Sequence, residues 1–385
     1  MAFVIFILVV ALNSLLFFLK KESKLIAGVS AVFLALLMAF SSVEIGSGDS
    51  YYYNLEYYNS DLLINSGETT FNFLMVLFNN LGFSFQWFRF VMFLFCFLLI
   101  CFPALKNGKS INLFVVLYAI SIYYFLCVSL NFFIGLSVVV FATSFLNKKR
   151  IIIFAALVLL ASTIHQSMIF SLFLLITIFR KRNKQHKYFF LSILVFAEFL
   201  FLVAMTIFTS LIPHFTNFVY QTVEPFFNTN SSYLREYLTV GFSRSSALYA
   251  LFYLLNLLLA KLAMNHISQS DDYSSNQKSF CDFSYLISLL CSFFIPFLII
   301  TPTMTRMLFL GLIFMLFIYI ICFSSSSSFL CLLPQKEMRT FNLKTCSRHI
   351  YGAVVLIVTF LWMFFYFKHE LSFDFAQFLE GNSLF

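Results

Sequence analysis

The chain has 385 residues, of which 61% are hydrophobic and only 10% charged, and its formal net charge is +8. Soluble proteins have about 25% charged residues, so this composition excludes a soluble cytosolic enzyme, a disordered protein, a nucleic-acid binder and a disulfide-rich secreted domain. Long apolar runs with only 11 Gly and 6 Pro predict a single all-α domain, residues 1–385, that crosses a membrane many times.

Twelve apolar segments follow one another along the chain, and a spanning helix needs about 20 such residues. They cover residues 2–19, 25–43, 83–105, 111–128, 131–146, 151–163, 166–179, 188–212, 242–264, 281–301, 307–323 and 350–367. The sequence therefore predicts a polytopic bundle of about 12 membrane segments.

Residues 151–179 form an unusual case because basic runs, residues 148–150 and 180–187, lie at both ends. One long helix would place these two runs on opposite sides of the membrane. A short helical hairpin that turns near His165 keeps both on one side, with arms of about 20 Å each.

The basic residues are divided unequally between the two sets of loops. One set holds 19 of the 24 Lys and Arg residues, and the other holds Arg89, Arg235, Arg244, Arg306 and Lys368. Cytoplasmic loops are enriched in Lys and Arg, so the first set faces the cytoplasm and both termini face outward. The net charge thus reflects topology, and we expect no nucleic-acid partner.

Three connections stand out in length and polarity. Residues 44–70 and 213–241 form long outward loops rich in Tyr and acidic residues, and residues 324–349 form a cytoplasmic linker with a serine run. The short apolar stretch 71–81 is predicted to be an interfacial or re-entrant helix, with Glu68 as its N-terminal cap or as a site residue.

The outward cations are candidates for binding a phosphate or diphosphate. Arg306, between two apolar segments, is the strongest, because a guanidinium binds phosphate bidentately; the alternative is an Arg that reaches the lipid headgroups. Arg235 and Arg244 are further candidates, although Arg235 also fits a surface ion pair with Glu236. Arg89, beside Trp87, fits a substrate contact or an interfacial anchor.

Two titratable residues are candidates for acid–base chemistry. His165 lies at the predicted turn, and Asp49 precedes a run of three tyrosines; a polar cap and an acidic interfacial loop are the respective alternatives. Tyr53 and Tyr237 in the outward loops suit sugar binding, because aromatic faces stack on sugars. The sequence contains no metal-binding motif, and we expect neither a metal nor a cofactor.

These motifs resemble those of Wzy-type polymerases of O-antigen and capsular polysaccharide, in particular the EpsG-like family. The matching features are a glycine-containing loop that leads to an Asp, here Gly46-Ser-Gly48-Asp49, with tyrosines following up to residue 58; a Glu before a short apolar stretch; a basic turn ahead of His-x-Ser; and an Arg that opens the penultimate span. They correspond here to Asp49, Glu68, residues 147–150, His165 with Ser167, and Arg306. The chain departs from the family where an Arg-Gln pair usually follows an Asn, since Asn131 is followed by Phe132.

The resemblance implies a glycosyltransferase-type enzyme of the bacterial inner membrane that needs no nucleotide sugar. It would transfer a growing undecaprenyl-diphosphate-linked glycan onto a new lipid-linked oligosaccharide unit at the periplasmic face. Arg306, with Arg235 or Arg244, would bind the diphosphate, and His165 or Asp49 would orient or deprotonate the acceptor. Tyr53, Glu68, Arg89 and Tyr237 would contact substrate. Membrane lipid and a chain-length regulator protein are further expected partners.

Three other functions fit a multi-pass membrane protein with these residues. A flippase for lipid-linked oligosaccharide would need a cationic cavity, whereas charges within the predicted spans are almost absent. A membrane O-acyltransferase would also place a His near the bilayer, but it takes a cytoplasmic acyl donor. A purely structural membrane partner is the third alternative.

Overall fold

The computed structural model describes residues 1–42, 49–59, 68–107, 110–123, 129–182, 244–299, 305–323, 350–362 and 381–384, together with a few isolated positions. Within these residues all regular structure is helical, which confirms the predicted all-α fold class.

The described part of the first half of the bundle contains eight α-helices and one 3-10 helix. The α-helices are α1 (Ala2–Phe18), α2 (Lys24–Ala39), α3 (Asp49–Tyr58), α4 (Thr69–Asn80), α5 (Phe85–Asn107), α6 (Ile111–Leu117), α7 (Leu130–Asn147) and α8 (Ile151–Ile164). A π-helical turn, Tyr118–Ile122, continues α6, and the 3-10 helix Gln166–Arg182 follows α8.

The second half adds four α-helices to the described part of the chain. They are α9 (Arg244–Gln269), α10 (Ser275–Cys291), α11 (Thr305–Cys322) and α12 (Ile350–Trp362), and a 3-10 helix, Ser292–Ile299, extends α10.

The apolar helices match the predicted membrane segments. Four described helices are long and apolar enough to cross a membrane, Phe85–Asn107, Leu130–Asn147, Leu248–Gln269 and Ser275–Ile295, and seven shorter apolar helices accompany them. Each of these eleven helices coincides with a predicted segment. The remaining segment, residues 188–212, lies outside the described residues, apart from two isolated positions.

The predicted hairpin is present, with His165 in an extended conformation between its two packed arms. The first arm, α8, has 14 residues and is about 21 Å long at 1.5 Å per residue. The second arm is a 3-10 helix of 17 residues, which at about 2.0 Å per residue extends about 34 Å. The second arm is therefore longer than the predicted 20 Å, because it extends three residues beyond the predicted end at residue 179 and its helix rises more per residue.

The region predicted as the outward loop 44–70 contains a helix, α3, and the start of α4. Tertiary contacts stabilise α3 in spite of its polar sequence: the Tyr57 hydroxyl donates to the carbonyl of Phe83 at 2.8 Å, and Asn79 Nδ2 donates to the carbonyl of Tyr57 at 2.8 Å. The predicted short helix at 71–81 is confirmed as α4. The predicted loop 213–241, apart from isolated positions, and the linker 324–349 lie outside the described residues.

A buried polar network joins α1, α2 and α6. Asn112 Nδ2 donates to Asn13 Oδ1 at 2.7 Å, and Asn13 Nδ2 donates to Ser30 Oγ at 2.7 Å. The backbone N–H of Ser23, just before α2, donates to Asn112 Oδ1 at 2.8 Å. Hydrogen bonds of this kind hold membrane helices together, because burial of apolar side chains gives little driving force for helix association in lipid.

Helix α11 lies at the centre of the second half, with the side chains of Met307–Phe323 almost wholly buried. A Cβ at Gly311 would clash with the Tyr253 hydroxyl of α9, so only glycine allows this close approach. Ser288 of α10 donates to the carbonyl of Gly311 at 2.9 Å, and Tyr253 donates to the carbonyl of Ser288 at 2.7 Å. These contacts fix the position of α11 and of Arg306 near its start.

Arg89 is buried rather than interfacial, with only 1% of its surface exposed. Its Nη1 donates to the carbonyls of Ala39 and Ser41 at 3.3 and 3.1 Å. These carbonyls lie at the C-terminal end of α2, where helix carbonyls have no partner within the helix. Arg89 therefore links α5 to the end of α2.

Candidate functional site

Five chain segments begin or end at one place in the bundle, and each brings a polar residue there. Asp49 begins α3, Glu68 immediately precedes α4, Asn131 is the second residue of α7, His165 follows α8, and Arg306 is the second residue of α11. Together with Ser129 these residues form a linked set, called here the polar cluster.

The contact between Arg306 and His165 defines the centre of the polar cluster. Arg306 Nη1 lies 2.8 Å from His165 Nε2. Because a guanidinium can only donate, Nε2 accepts this hydrogen bond and the proton of the neutral ring is on Nδ1. That N–H then donates to Ser167 Oγ at 2.8 Å. Arg306 and Ser167 thus determine both the tautomer and the orientation of the ring.

The surroundings of His165 favour its uncharged form. Burial and, to a lesser extent, the nearby Arg306 cation together lower the pKa of the imidazole to about 3. The residue is only 8% exposed. His165 is therefore neutral throughout the physiological pH range.

Glu68 has the opposite behaviour and titrates near neutrality. Its Oε1 lies 4.0 Å from His165 Nε2, and its Oε2 accepts from Asn131 Nδ2 at 2.5 Å. Burial raises the pKa of the Glu68 carboxyl to about 7; the Asn131 hydrogen bond opposes this shift and the charge of Asp49 adds to it. The sequence correctly placed Glu68 at the cap position of α4, but its side chain bonds to Asn131 rather than to the helix.

Ser129 and Asn131 connect Glu68 to Asp49. The Ser129 hydroxyl donates to Asp49 Oδ2 at 2.9 Å and lies 3.3 Å from Asn131 Oδ1, which also accepts from the backbone N–H of Phe132 at 2.6 Å. Both carboxylates are therefore held by side chains at the start of α7.

Aromatic rings form the walls of the polar cluster. The Arg306 guanidinium carbon lies 5.5 Å from the centre of the Phe132 ring, which also packs edge-on against His165 at 5.3 Å. Tyr53 packs against Phe71 at 5.0 Å. Burial and then the charges of Asp49 and Glu68 raise the pKa of Tyr53 well above its usual value, so its hydroxyl stays protonated and able to donate.

Four helices, α3, α4, α7 and α11, have their N-termini at the polar cluster. A helix N-terminus has unpaired N–H groups and about half a positive charge. Together with the Arg306 cation, these ends favour an anion, and phosphate groups commonly bind at such positions.

The structure thus brings together five of the residues predicted from the sequence, which are Asp49, Tyr53, Glu68, His165 and Arg306. Arg89 instead contacts the backbone at the end of α2. Arg235 and Tyr237 lie outside the described residues. Arg244 is the first residue of α9, but only its backbone is among the described parts of the chain. Among the described residues, no group of three or more His, Cys, Asp and Glu side chains is arranged to hold a metal.

Sequence reasoning did not identify Ser129 and Asn131 as site residues, although two polar residues at the start of an apolar helix were a usable signal.

The packing role of Gly135, one turn further along α7, was also not predicted from the sequence. A Cβ there would lie 2.8 Å from Met168 Cγ, 3.3 Å from the carbonyl oxygen of Ala161 and 3.6 Å from His165 Cβ. Glycine therefore allows α7 to approach the segment that bears His165.

The sequence model of the EpsG family matches residues 24–379, which is most of the chain, and the protein therefore belongs to the EpsG family. No curated protein and no solved structure matches it. Family membership identifies the chain as a polysaccharide-polymerase-like membrane protein with glycosyltransferase-like activity.

The close approach at Gly135 gives a test of the geometry of the polar cluster. We expect Gly135→Ala to lower polysaccharide formation by about 10- to 100-fold, because displacements near 1 Å in a site have effects of this size. Gly28→Ala is the matched control, since a Cβ at Gly28 meets nothing within 4 Å. Polymer yield at equal membrane levels of the two variants measures the effect, and equal yields would show that this packing does not matter.

Proposed function

We propose that this protein polymerises lipid-linked oligosaccharide units at the polar cluster, on the periplasmic face of a bacterial inner membrane. The growing glycan would be transferred from undecaprenyl diphosphate to a hydroxyl group of a new lipid-linked unit. The observation that supports this best is the contact of Arg306 with the neutral His165, 4.0 Å from Glu68, at the convergence of four helix N-termini.

Arg306 is the proposed ligand of the diphosphate. Arginine is rare at the ends of apolar membrane helices as well as within them, and where it occurs inside a bundle it usually has a function. One Nη of Arg306 contacts His165, and the planar guanidinium has further donors that suit phosphate oxygens. The converging helix N-termini add positive potential where the leaving group would gain negative charge.

The transfer step has a simple balance of bonds. The bond between the anomeric carbon of the growing glycan and the diphosphate oxygen breaks, and its electron pair stays on the diphosphate. An acceptor hydroxyl oxygen forms the new bond to that carbon, and its proton passes to a base. Glu68 is the group we propose for this proton, because an ionised carboxylate with a pKa of about 7 accepts and releases a proton readily near neutral pH.

This assignment differs from the sequence-based expectation that His165 or Asp49 deprotonates the acceptor. His165 Nε2 already accepts a hydrogen bond from Arg306, and the low pKa of the ring makes it a weak base. Its proposed role is to orient Arg306. Asp49 accepts from Ser129 and thereby fixes the start of α7 beside Glu68.

The location of the polar cluster within the bundle supports an outward-facing site. It lies at the C-terminal end of α8, whereas the basic run 148–150 lies at the N-terminal end, about 21 Å away along the helix. If the basic run faces the cytoplasm, as such runs usually do, the polar cluster faces the other side. Substrate would reach it there after it has crossed the membrane.

Reconstitution tests the proposed reaction directly. Purified protein in liposomes, given radiolabelled undecaprenyl-diphosphate-linked repeat units and no nucleotide sugar, should form a ladder of longer glycans. Arg306→Ala should reduce this product by about 10²–10³-fold, as loss of a donor that stabilises developing charge does elsewhere. Arg306→Lys should stay impaired because Lys lacks the planar fork.

Arg150→Ala is the control for this experiment, since Arg150 is exposed at the far end of α8. Normal ladders from Arg306→Ala at equal protein levels would refute the diphosphate role. Translocation of units without joining, or transfer of an acyl group, would refute the polymerase and support one of the alternative functions.

The proposed role of Glu68 predicts a specific pH dependence. A protonated carboxyl cannot accept a proton, so the polymerisation rate should rise with pH and level off above about 7. Because His165 stays neutral, the rise should follow Glu68 alone. Glu68→Gln should lower the rate by about 10²–10⁴-fold at every pH.

Initial rates measured between about pH 5.5 and 8.5 give this profile, because these limits lie on either side of the Glu68 pKa of about 7. Asp271→Asn, at an exposed position between α9 and α10, is the control and should keep the wild-type profile. A wild-type rate that does not change across this range, or an active Glu68→Gln variant, would exclude Glu68 as the base.

A further inference from the structure

A second site lies at the end of α7 away from the polar cluster. Residues of α5 and α7, the adjoining Lys148, and Phe280 of α10 line a pocket of about 190 Å³. Helix α7 has 18 residues, so its two ends are about 27 Å apart. The pocket is therefore separate from the proposed diphosphate site.

Two lysines, Lys106 and Lys148, line this pocket, and their side chains are in contact with each other. Lys106 lies close enough that its charge is the largest cause of a lowered pKa at Lys148, and Arg150 acts in the same direction. No carboxylate is among the residues that line the pocket in the described part of the chain. Cations held this close without a nearby acid attract an anion.

The rest of the lining combines five apolar residues with three polar ones, Asn107, Ser144 and Asn147, and the apolar part reaches the outer surface of the bundle. Phe102 packs against Phe141 at 5.7 Å, and Phe141 packs against Phe145 at 5.5 Å. Phe102 is 51% exposed on the outer surface of the bundle. A strip of three rings thus runs beside the two lysines, and this arrangement suits a ligand that combines an anionic head with a hydrocarbon tail.

We propose that this pocket binds an anionic glycerophospholipid, with its phosphate between Lys106 and Lys148 and an acyl chain along Phe102 and Phe141. A soluble anion would contact the two lysines but would make no contact with the aromatic strip. Basic pockets between membrane helices on the cytoplasmic side suit such headgroups. The proposal does not depend on the polymerase activity.

Native mass spectrometry of delipidated protein with added dioleoyl phosphatidylglycerol or dioleoyl phosphatidylcholine tests the site. The wild type should retain the anionic lipid preferentially. Lys106→Gln with Lys148→Gln should reduce its retention by about 10- to 30-fold, because each lysine near a lipid surface contributes a factor of several. Lys20→Gln with Lys21→Gln is the matched control, as these lysines are also exposed but lie outside the pocket.

Two further measurements separate the lipid from a free anion. Phe141→Ala, which keeps both lysines, should also reduce retention of phosphatidylglycerol, and excess inorganic phosphate should not displace the lipid. Unchanged retention by the lysine double variant or by Phe141→Ala would overturn the proposal. Full displacement by inorganic phosphate would also overturn it, in favour of a soluble anion. Because Lys148 is fully exposed, the single variant Lys148→Gln keeps the fold and should show an intermediate loss.

Discussion

The hydrogen bond from Arg306 to His165 is the interaction on which the proposed chemistry of the polar cluster depends. Because a guanidinium cannot accept a hydrogen bond, this contact fixes the imidazole as a neutral ring with its proton on Nδ1. A neutral His165 leaves Glu68 as the group in the polar cluster with a pKa near 7. This contact thus gives the two residues different proposed roles: Arg306 binds the phosphate and Glu68 accepts the proton.

The fold provides this contact by placing helix ends, rather than helix middles, at the polar cluster. Arg306 is held by α11, whose side chains are almost wholly buried, and His165 is held where the two arms of the hairpin meet. Polar side chains at helix N-termini supply the hydrogen bonds that a charge inside a membrane protein requires. The same N-termini add positive potential at the place proposed for the diphosphate.

Much of the fold could be predicted because membrane helices depend on apolar length and on the distribution of Lys and Arg. The turn at His165 followed from the two flanking basic runs, and the choice of Arg306 as a candidate followed from its position between two apolar segments. The contacts that define the site could not be predicted in this way. Glu68 meets Asn131 and His165 meets Arg306 across 63 and 141 residues of sequence, so only the packing of helices brings them together.

Two differences between expectation and structure have the same physical origin. The polar segment at 49–58 forms a helix because Tyr57 and Asn79 connect it to α4 and to the Phe83 segment. Arg89 is buried because the end of α2 offers it unpaired carbonyls. In both cases, tertiary hydrogen bonds outweigh the local composition from which the prediction was made.

A double-mutant cycle tests the central role of the contact between Arg306 and His165. Polymerisation rates of Arg306→Lys, His165→Ala and the double variant would be compared in the same liposomes. If His165 acts by orienting Arg306, the double variant should be about as impaired as the worse single variant, a coupling of at least about 1 kcal/mol. If the two losses multiply, the residues act independently and the account of the site is contradicted.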